Sequence, residues 1–207
     1  MDADGSPATR RLVDAVERIA VETAGRTPSG VDHDHADEEL GTISCDDAIG
    51  FDPMPLLAAL DRHGAHVVIM GQVAGIMHGS TELTGDLDLL WSGSDTEADA
   101  MAGGFAEIGA RLWDDDDRPV ACEPTAFDLP KVTFRSANAS GDCCTPALPW
   151  RGLDVAGMIE RADVTSLDGV AVRYLAVPDL VAMRSIVSRP KDVRRVDELR
   201  RLHPDLA

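Results

Sequence analysis

The fold is decided by residues 67–91, which run VVIMGQVAGIMHGSTELTGDLDLLW. The unbroken apolar segment 66–70 is typical of a strand that is buried on both faces. Gly71 interrupts it, and residues 72–78 have the apolar spacing of a short helix. A second apolar segment, 87–91, predicts another strand. This order of strand, glycine turn, helix and strand predicts a domain that combines a sheet with helices.

The turn at Gly71 joins a predicted strand to a predicted helix. Backbone N–H groups in the first turn of a helix have no partner within the helix, and with the helix dipole they favour a phosphate. Many α/β proteins turn at a glycine without binding anything, so this signal is weak alone. Ser80, in the loop after the predicted helix, has a hydroxyl that could donate to a phosphate or simply stabilise a turn.

Asp86 and Asp88 are separated by one residue in a strand-like segment. Side chains alternate along a strand, so both carboxylates are expected on one face while Leu87 and Leu89 point into the core. Two hard oxygen ligands so placed can hold Mg²⁺ together. The alternative is a strand edge on which both aspartates are merely exposed. Aspartate is a poor strand former, which favours the site.

The rest of the chain alternates between helical and strand-like patterns. Asp168-Gly169 predicts a hairpin turn, and the four carboxylates of 114–117 predict a solvated loop. Taken together, the elements predict a mixed α/β (α+β) domain with a mixed sheet flanked by helices. The predicted helices are 53–63, 96–110, 153–162, 178–187 and 191–202, and the further predicted strands are 132–134, 141–145, 163–167 and 170–175.

The N-terminal quarter differs in character from the other three quarters of the chain. Residues 9–24 have the apolar spacing of a helix, and 25–50 are polar and acidic, which predicts a mobile linker. We therefore expect residues 1–50 to form an N-terminal helix and acidic linker, and 51–207 to form the main domain. The segment 32–39 of the linker carries a His-Asp-His cluster that could bind a metal, but we favour a solvated charge run, because no helix or hairpin is predicted to fix those ligands.

The chain has 207 residues and a formal net charge of −18, from 37 acidic and 19 basic residues. Such a charge repels phosphate backbones at long range, so a general nucleic-acid binder is disfavoured. Cationic small molecules or basic protein surfaces are easier partners. No apolar run approaches the length of a membrane helix, and no signal sequence is evident, so we expect a cytoplasmic protein that has no membrane partner. The four cysteines lack metal-site spacing and are expected to be reduced.

These motifs resemble a known family. The pattern G-x-V/A-A…H-G-S…T-x-D-L-D-L-L, with L-D-G-V-A-V-R-Y-L-A-V-P-D-L-V-A-M-R…R-P-K-D near the end, is similar to the nucleotidyltransferase-fold superfamily. The similarity is greatest to its small bacterial members, the minimal and abortive-infection nucleotidyltransferases, and it covers about residues 52–202. It implies a nucleotidyltransferase-like mixed sheet and Mg²⁺-dependent transfer of a nucleoside monophosphate from a nucleoside triphosphate to an acceptor hydroxyl. ATP is the expected donor, and the acceptor, whether small molecule, protein or RNA, is unknown.

The resemblance also implies roles for particular residues. Asp86, Asp88 and a third carboxylate would be the catalytic residues and would hold one or two Mg²⁺ ions. We choose Asp142 as the third over Asp128, because Asp142 lies in a predicted strand and Asp128 in a loop; the alternative for Asp142 is a strand-edge residue. The residues expected to contact the nucleotide are Gly71, Gln72, Ser80 and Arg184. The basic residues Arg189 and Lys191 could form a cationic cluster that meets the triphosphate; the alternative, which we favour for Lys191 and Asp192, is that the segment 189–192 is a salt-bridged helix cap.

Two positions depart from the family pattern. Gln72 stands where a small residue is usual, and Glu82 stands where relatives often carry a basic residue, which adds repulsion for ATP. Both favour an alternative, a non-catalytic nucleotidyltransferase-like binding or regulatory module with a protein partner, as in a toxin–antitoxin or phage-defence pair. An aspartyl phosphatase is a weaker alternative, because Leu90 replaces the residue expected after its D-x-D motif.

Overall fold

The computed structural model describes residues 5–31 and 43–206. Short 3₁₀ turns occur at Asp46–Ala48, Pro124–Asp128 and Pro204–Leu206. In the described residues the α-helices are α1 (Pro7–Glu22), α2 (Met54–His63), α3 (Gly71–Met77), α4 (Asp95–Glu107), α5 (Val155–Glu160), α6 (Val177–Val187) and α7 (Pro190–Leu202). The strands are β1 (Val67–Ile69), β2 (Leu89–Trp91), β3 (Arg111–Trp113), β4 (Pro119–Val120), β5 (Lys131–Arg135), β6 (Ser140–Cys144), β7 (Asp163–Leu167) and β8 (Val170–Tyr174).

The eight strands found within residues 5–31 and 43–206 form one sheet in the order β4-β3-β5-β6-β2-β1-β8-β7. The pairs β1–β8 and β2–β6 are parallel and the others are antiparallel. The predicted fold class, a mixed sheet flanked by helices, is confirmed. In the described ranges, no helix has the length and apolar character needed to cross a bilayer.

Local chemistry accounts for several element boundaries. Gly64 ends α2 in the left-handed conformation, where a residue without Cβ carries no steric penalty. Asp168 and Gly169 both have positive φ, which matches the twist of β7 and β8. The predicted hairpin is confirmed. The strands β3 and β4, by contrast, were not predicted, because neither Arg111–Trp113 nor Pro119–Val120 has the unbroken apolar run that marks β1 and β2.

The carboxylate pair lies just before β2, not inside it as predicted. The alternation is nevertheless present: Leu87 and Leu89 are fully buried, while Asp86 and Asp88 are partly exposed. Single backbone hydrogen bonds hold this segment extended on both sides, from Leu87 N to Ser140 O and from Met70 N to Asp88 O, each 2.9 Å. The aspartates therefore keep the orientation of a strand without a continuous ladder.

The N-terminal region packs into the core of the molecule. Leu12 and Ile19 of α1 are buried, and α1 packs against α3. Cys45 and Ala48, at the end of the predicted linker, are fully buried, so this part of the linker is fixed by packing. The His-Asp-His cluster lies outside the described residues, and the domain boundary at residue 50 stays a prediction.

Replacing Leu12 by Ala tests this packing. Leu12 is 1% exposed, so Leu12→Ala is expected to lower the free energy of unfolding by about 2–4 kcal/mol through lost burial and a residual cavity. Val21 on the same helix is 76% exposed, and Val21→Ala should change it by less than about 0.5 kcal/mol. Urea unfolding of both variants measures the difference. Equal effects would contradict the packing of α1 on the core.

Candidate functional site

A cavity of about 240 Å³ lies between the glycine turn after β1 and helices α6 and α7. Its sheet side presents carboxylates and its helical side presents cations. Negatively and positively charged side chains are therefore concentrated on opposite walls of one cavity. The lining residues are Met70, Gly71, Gln72, Thr84, Asp86, Asp88, Asp142, Trp150, Leu180, Met183, Arg184, Val187, Arg189, Lys191, Asp192 and Arg195.

Asp86 and Asp88 each pack against a glycine. Gly71 has φ +61°, and a Cβ placed there would collide with Oδ2 of Asp88. A Cβ on Gly141 would lie 2.9 Å from Oδ1 of Asp86 and would collide with the carbonyl oxygen of Leu87. The carboxylates thus approach the backbone at positions where larger residues would exclude them.

Asp142 lies on β6, next to the carboxylate pair. The parallel register of Leu89 with Cys143 places Asp142 beside Asp88 on the neighbouring strand. Its Oδ1 accepts a hydrogen bond from Thr133 Oγ1 at 2.8 Å, and its Oδ2 accepts one from Lys131 Nζ at 3.2 Å. Both carboxylate oxygens are therefore directed towards β5.

Lys131 places a positive charge next to Asp142. Its Nζ also lies 3.3 Å from Oδ1 of Asp115. Burial by itself would lower the pKa of Lys131, but Asp142 and Asp115 outweigh it and raise the pKa above the usual value. The ammonium group is consequently protonated at neutral pH.

In the described part of the chain, no three His, Cys, Asp or Glu side chains are already arranged to hold a metal ion. The chemistry of the donors nevertheless fits Mg²⁺, which prefers one or two carboxylates together with water and phosphate oxygens. Asp86 and Asp88 supply that pair at the cavity wall. Asp142 accepts hydrogen bonds from β5, and this is one reason that it does not join Asp86 and Asp88 in a set of three carboxylates arranged to hold a metal ion.

Arg184 enters the cavity from α6 and is 5% exposed. Its Nη2 donates to Gly71 O at 2.9 Å and to Gln72 Oε1 at 2.8 Å. Its Nη1 is buried, and no group in the described residues accepts a hydrogen bond from it. Burial, with the neighbouring charge of Arg195, lowers the pKa of Arg184 to about 10, so the group is still cationic at neutral pH. A buried cationic donor with an unused N–H is suited to an anionic ligand.

Ser80 is not brought to this cavity. Its hydroxyl accepts a hydrogen bond from Gln72 Nε2 at 2.9 Å and donates to Glu198 Oε2 at 2.6 Å. The amide nitrogen of Gln72 also donates to the Glu82 carbonyl at 2.6 Å. Ser80 therefore orders the loop behind the site, and the side-chain amide of Gln72 is already engaged on that side.

The negative charge of Glu82 is balanced within the fold. Arg195 donates to Oε1 of Glu82 through Nε at 2.9 Å, and its Nη2 lies 2.8 Å from the same oxygen. The repulsion expected between Glu82 and a triphosphate is therefore offset by a buried arginine.

The predicted cap at 189–192 is confirmed. Oδ2 of Asp192 accepts from the backbone N–H of Arg189 at 3.3 Å and from its Nε at 2.8 Å. This ion pair fixes the start of α7 at the cavity rim. Lys191, for which the sequence favours the cap over the cationic cluster, lines the cavity, as does Arg195, which the sequence analysis does not single out although a spacing of four residues places both on one face of a helix.

The remaining candidates from the sequence are Asp128, His78 and the cysteines. Asp128 is exposed and lines a different cavity, so Asp142 is the one of the two that shares a cavity with Asp86 and Asp88. His78 is buried with Nε2 2.7 Å from Leu175 O, and burial lowers its pKa. The four cysteines are free thiols, as expected, and burial raises the pKa of Cys143 and Cys144, which disfavours a nucleophilic role.

Of three comparisons with known proteins, one found a match, and that was the comparison with solved structures. No protein-family model matches the chain, and neither does any curated protein. Among solved structures, the chain aligns with the crystal structure of ANT(2″)-Ia in complex with adenylyl-2″-tobramycin. The two share 17% sequence identity over 71% of this chain and 84% of that chain, with a TM-score of 0.44.

Proposed function

We propose that this protein transfers a nucleoside monophosphate from a nucleoside triphosphate, with ATP as the expected donor, to an acceptor hydroxyl. One observation supports the proposal above all. Asp86, Asp88 and Asp142 line the same cavity as Arg184, a buried arginine with an unpartnered N–H. Carboxylates for a divalent cation and a cation for phosphate oxygens are the two groups that phosphoryl chemistry requires.

The helical wall would hold the triphosphate. Arg184, Lys191 and Arg195 are each about 5% exposed and line the cavity together with Arg189. Arg195 is paired with Glu82 and Arg189 with Asp192, so their charges are partly balanced, and Arg184, with its unused N–H, is the principal cation of this wall. Buried cations attract an anion more strongly than exposed ones because water screens them less. The phosphates would therefore lie along α6 and α7, opposite the carboxylates.

Asp86 and Asp88 would hold Mg²⁺, which when bound neutralises phosphate charge and favours ionisation of the attacking hydroxyl. The acceptor oxygen would form a bond to the α-phosphorus as the bond from that phosphorus to the pyrophosphate oxygen breaks. Pyrophosphate leaves with the electron pair of that bond. Asp142 would accept the proton of the acceptor hydroxyl, since its carboxylate is hydrogen-bonded to β5, whereas that of Asp88 packs against Gly71.

The acceptor would enter from a second cavity, of about 530 Å³, which shares Asp86 and Asp142 with the first. Its wall includes Asp47, Trp113 and Asp117. The cavity is lined by four carboxylates against two basic side chains, Lys131 and Arg135, and this excess of negative charge, together with the negative net charge, favours a small cationic molecule or a protein over RNA. A hydroxyl reaching through this opening would meet Asp142 and the α-phosphate together.

The deciding experiment incubates the protein with Mg²⁺, each α-³²P-labelled nucleoside triphosphate and a panel of small-molecule, protein and RNA acceptors. Metal-dependent labelling of an acceptor, with release of pyrophosphate, is the expected result. Nucleotide binding without transfer to any acceptor would favour the non-catalytic alternative. Absence of both binding and transfer would overturn the proposal.

Arg184→Gln is expected to weaken binding of the non-transferable analogue α,β-methylene-ATP about 10- to 100-fold, the value of a hydrogen bond to a charged group. Arg18→Gln on the exposed side of α1 changes the net charge equally and should leave the affinity within about twofold. Isothermal titration calorimetry measures both. Similar losses in the two variants would show that net charge, and not Arg184, determines the affinity.

A further inference from the structure

Lys131, Thr133 and Asp142 form a cross-strand group on one face of the sheet. Thr133 is directly opposite Asp142 in the antiparallel pairing of β5 with β6, and Lys131 is two residues away on the same strand. Residues two apart on a strand share a face, so both side chains reach the same carboxylate. Each oxygen of Asp142 consequently accepts a hydrogen bond from β5.

Lys131 is also held from the opposite side by Asp115, at 3.3 Å. The loop that carries Asp115 is closed on itself, because Oδ1 of Asp114 accepts from the backbone N–H groups of Asp116 and Arg118, both at 2.9 Å. The acidic run at 114–117 thus has a function in the fold beyond solvation: it fixes a lysine ammonium group on the third carboxylate.

This arrangement has a consequence for divalent cations. A second metal ion shared between Asp142 and the other two aspartates would need an Asp142 oxygen that already accepts from Lys131 or Thr133. It would also lie close to the Lys131 ammonium, and like charges at such separation repel. The ammonium already supplies positive charge at the point where a second metal ion would supply it.

We propose that Lys131 takes the place of a second divalent cation, so that each chain holds one metal ion, on Asp86 and Asp88. Lys131 is then a positioning residue, which keeps Asp142 directed at the acceptor and away from metal coordination. This inference rests on the proposed function for the identity of the metal-binding pair.

Titration of nucleotide-free protein with Mn²⁺, followed by the electron paramagnetic resonance signal of free Mn²⁺, tests it. Wild-type protein should bind one Mn²⁺ that Asp86→Asn removes. Lys131→Gln should bind two Mn²⁺ per chain, the second at least about 10-fold more tightly than any further Mn²⁺ binds to wild type, and adding Asp142→Asn should abolish that second site. Lys131→Arg keeps the charge and should retain one site. Lys131→Met serves as a second neutral variant should the Gln variant fold poorly.

Arg135→Gln is the matched control. Arg135 lies on the same strand and the same face, but its partner is Asp47 at 3.0 Å, so its loss should leave one Mn²⁺ per chain. Two sites in wild type, or one unchanged site in both neutral Lys131 variants, would overturn the inference and leave the proposed function intact. A wild-type protein that binds no Mn²⁺ would overturn both.

Discussion

Asp86→Asn is expected to reduce Mg²⁺-dependent nucleotidyl transfer about 10³-fold, because stabilisation by a bound metal is worth several kcal/mol and about 1.4 kcal/mol corresponds to a factor of ten. The amide is nearly the size of the carboxylate but has no negative charge for the metal. Asp88→Asn should have a similar effect, and the double variant should lose little more, since both side chains hold one ion. Initial rates of labelled product formation measure these losses.

Asp128→Asn is the control for this loss. Asp128 is the exposed carboxylate that lines another cavity, and its substitution makes the same change in net charge. Its rate should stay within about twofold of wild type, as surface substitutions away from a site have small effects. Transfer that survives in both Asp86→Asn and Asp88→Asn would contradict the assignment of the metal-binding pair.

Gly71→Ala is expected to lower the free energy of unfolding by about 2–4 kcal/mol, the sum of a left-handed backbone penalty and an overpacking cost. The added Cβ would collide with Oδ2 of Asp88. Since the carboxylate must move, Mn²⁺ binding should weaken, and transfer should fall about 100-fold through misplacement. Urea unfolding, Mn²⁺ titration and initial rates measure the three effects.

Gly64→Ala separates the backbone penalty from the effect of the Cβ contact. Gly64 also has a positive φ, of +78°, but a Cβ there meets nothing within 4 Å. It should cost about 1 kcal/mol in stability and nothing in Mn²⁺ affinity or rate. If Gly71→Ala behaved like Gly64→Ala, the contact between Gly71 and Asp88 would have no influence on the site.

Local patterns predicted most of the fold, because each depends on residues close in sequence. The glycine at the end of α2, the Asp168-Gly169 turn and the alternation around Asp86 and Asp88 are cases of this kind. The choice of Asp142 over Asp128 also used local character, strand against loop. The structure adds the strand register that places Asp142 beside Asp88.

Long-range pairings could not be predicted in the same way. Ser80 is expected at the nucleotide because of its position after the glycine turn, but its hydroxyl donates a hydrogen bond to Glu198, more than a hundred residues away. The importance of Lys131 could not be predicted for the same reason, because it depends on β5 lying against β6. The unpartnered N–H of Arg184 likewise becomes evident only when α6 packs against the Gly71 turn.

The burial of Ala48 has a consequence for dissecting the protein. A Cβ on Gly85 would lie 2.6 Å from the backbone N and Cα of Ala48, so this glycine is fitted to the segment before residue 50. Gly85 directly precedes Asp86. A truncated protein starting at residue 51 would leave that glycine without its contact surface, and the two aspartates after it would lose their support. A shortened fragment made for expression should therefore retain the stretch from 43 onwards.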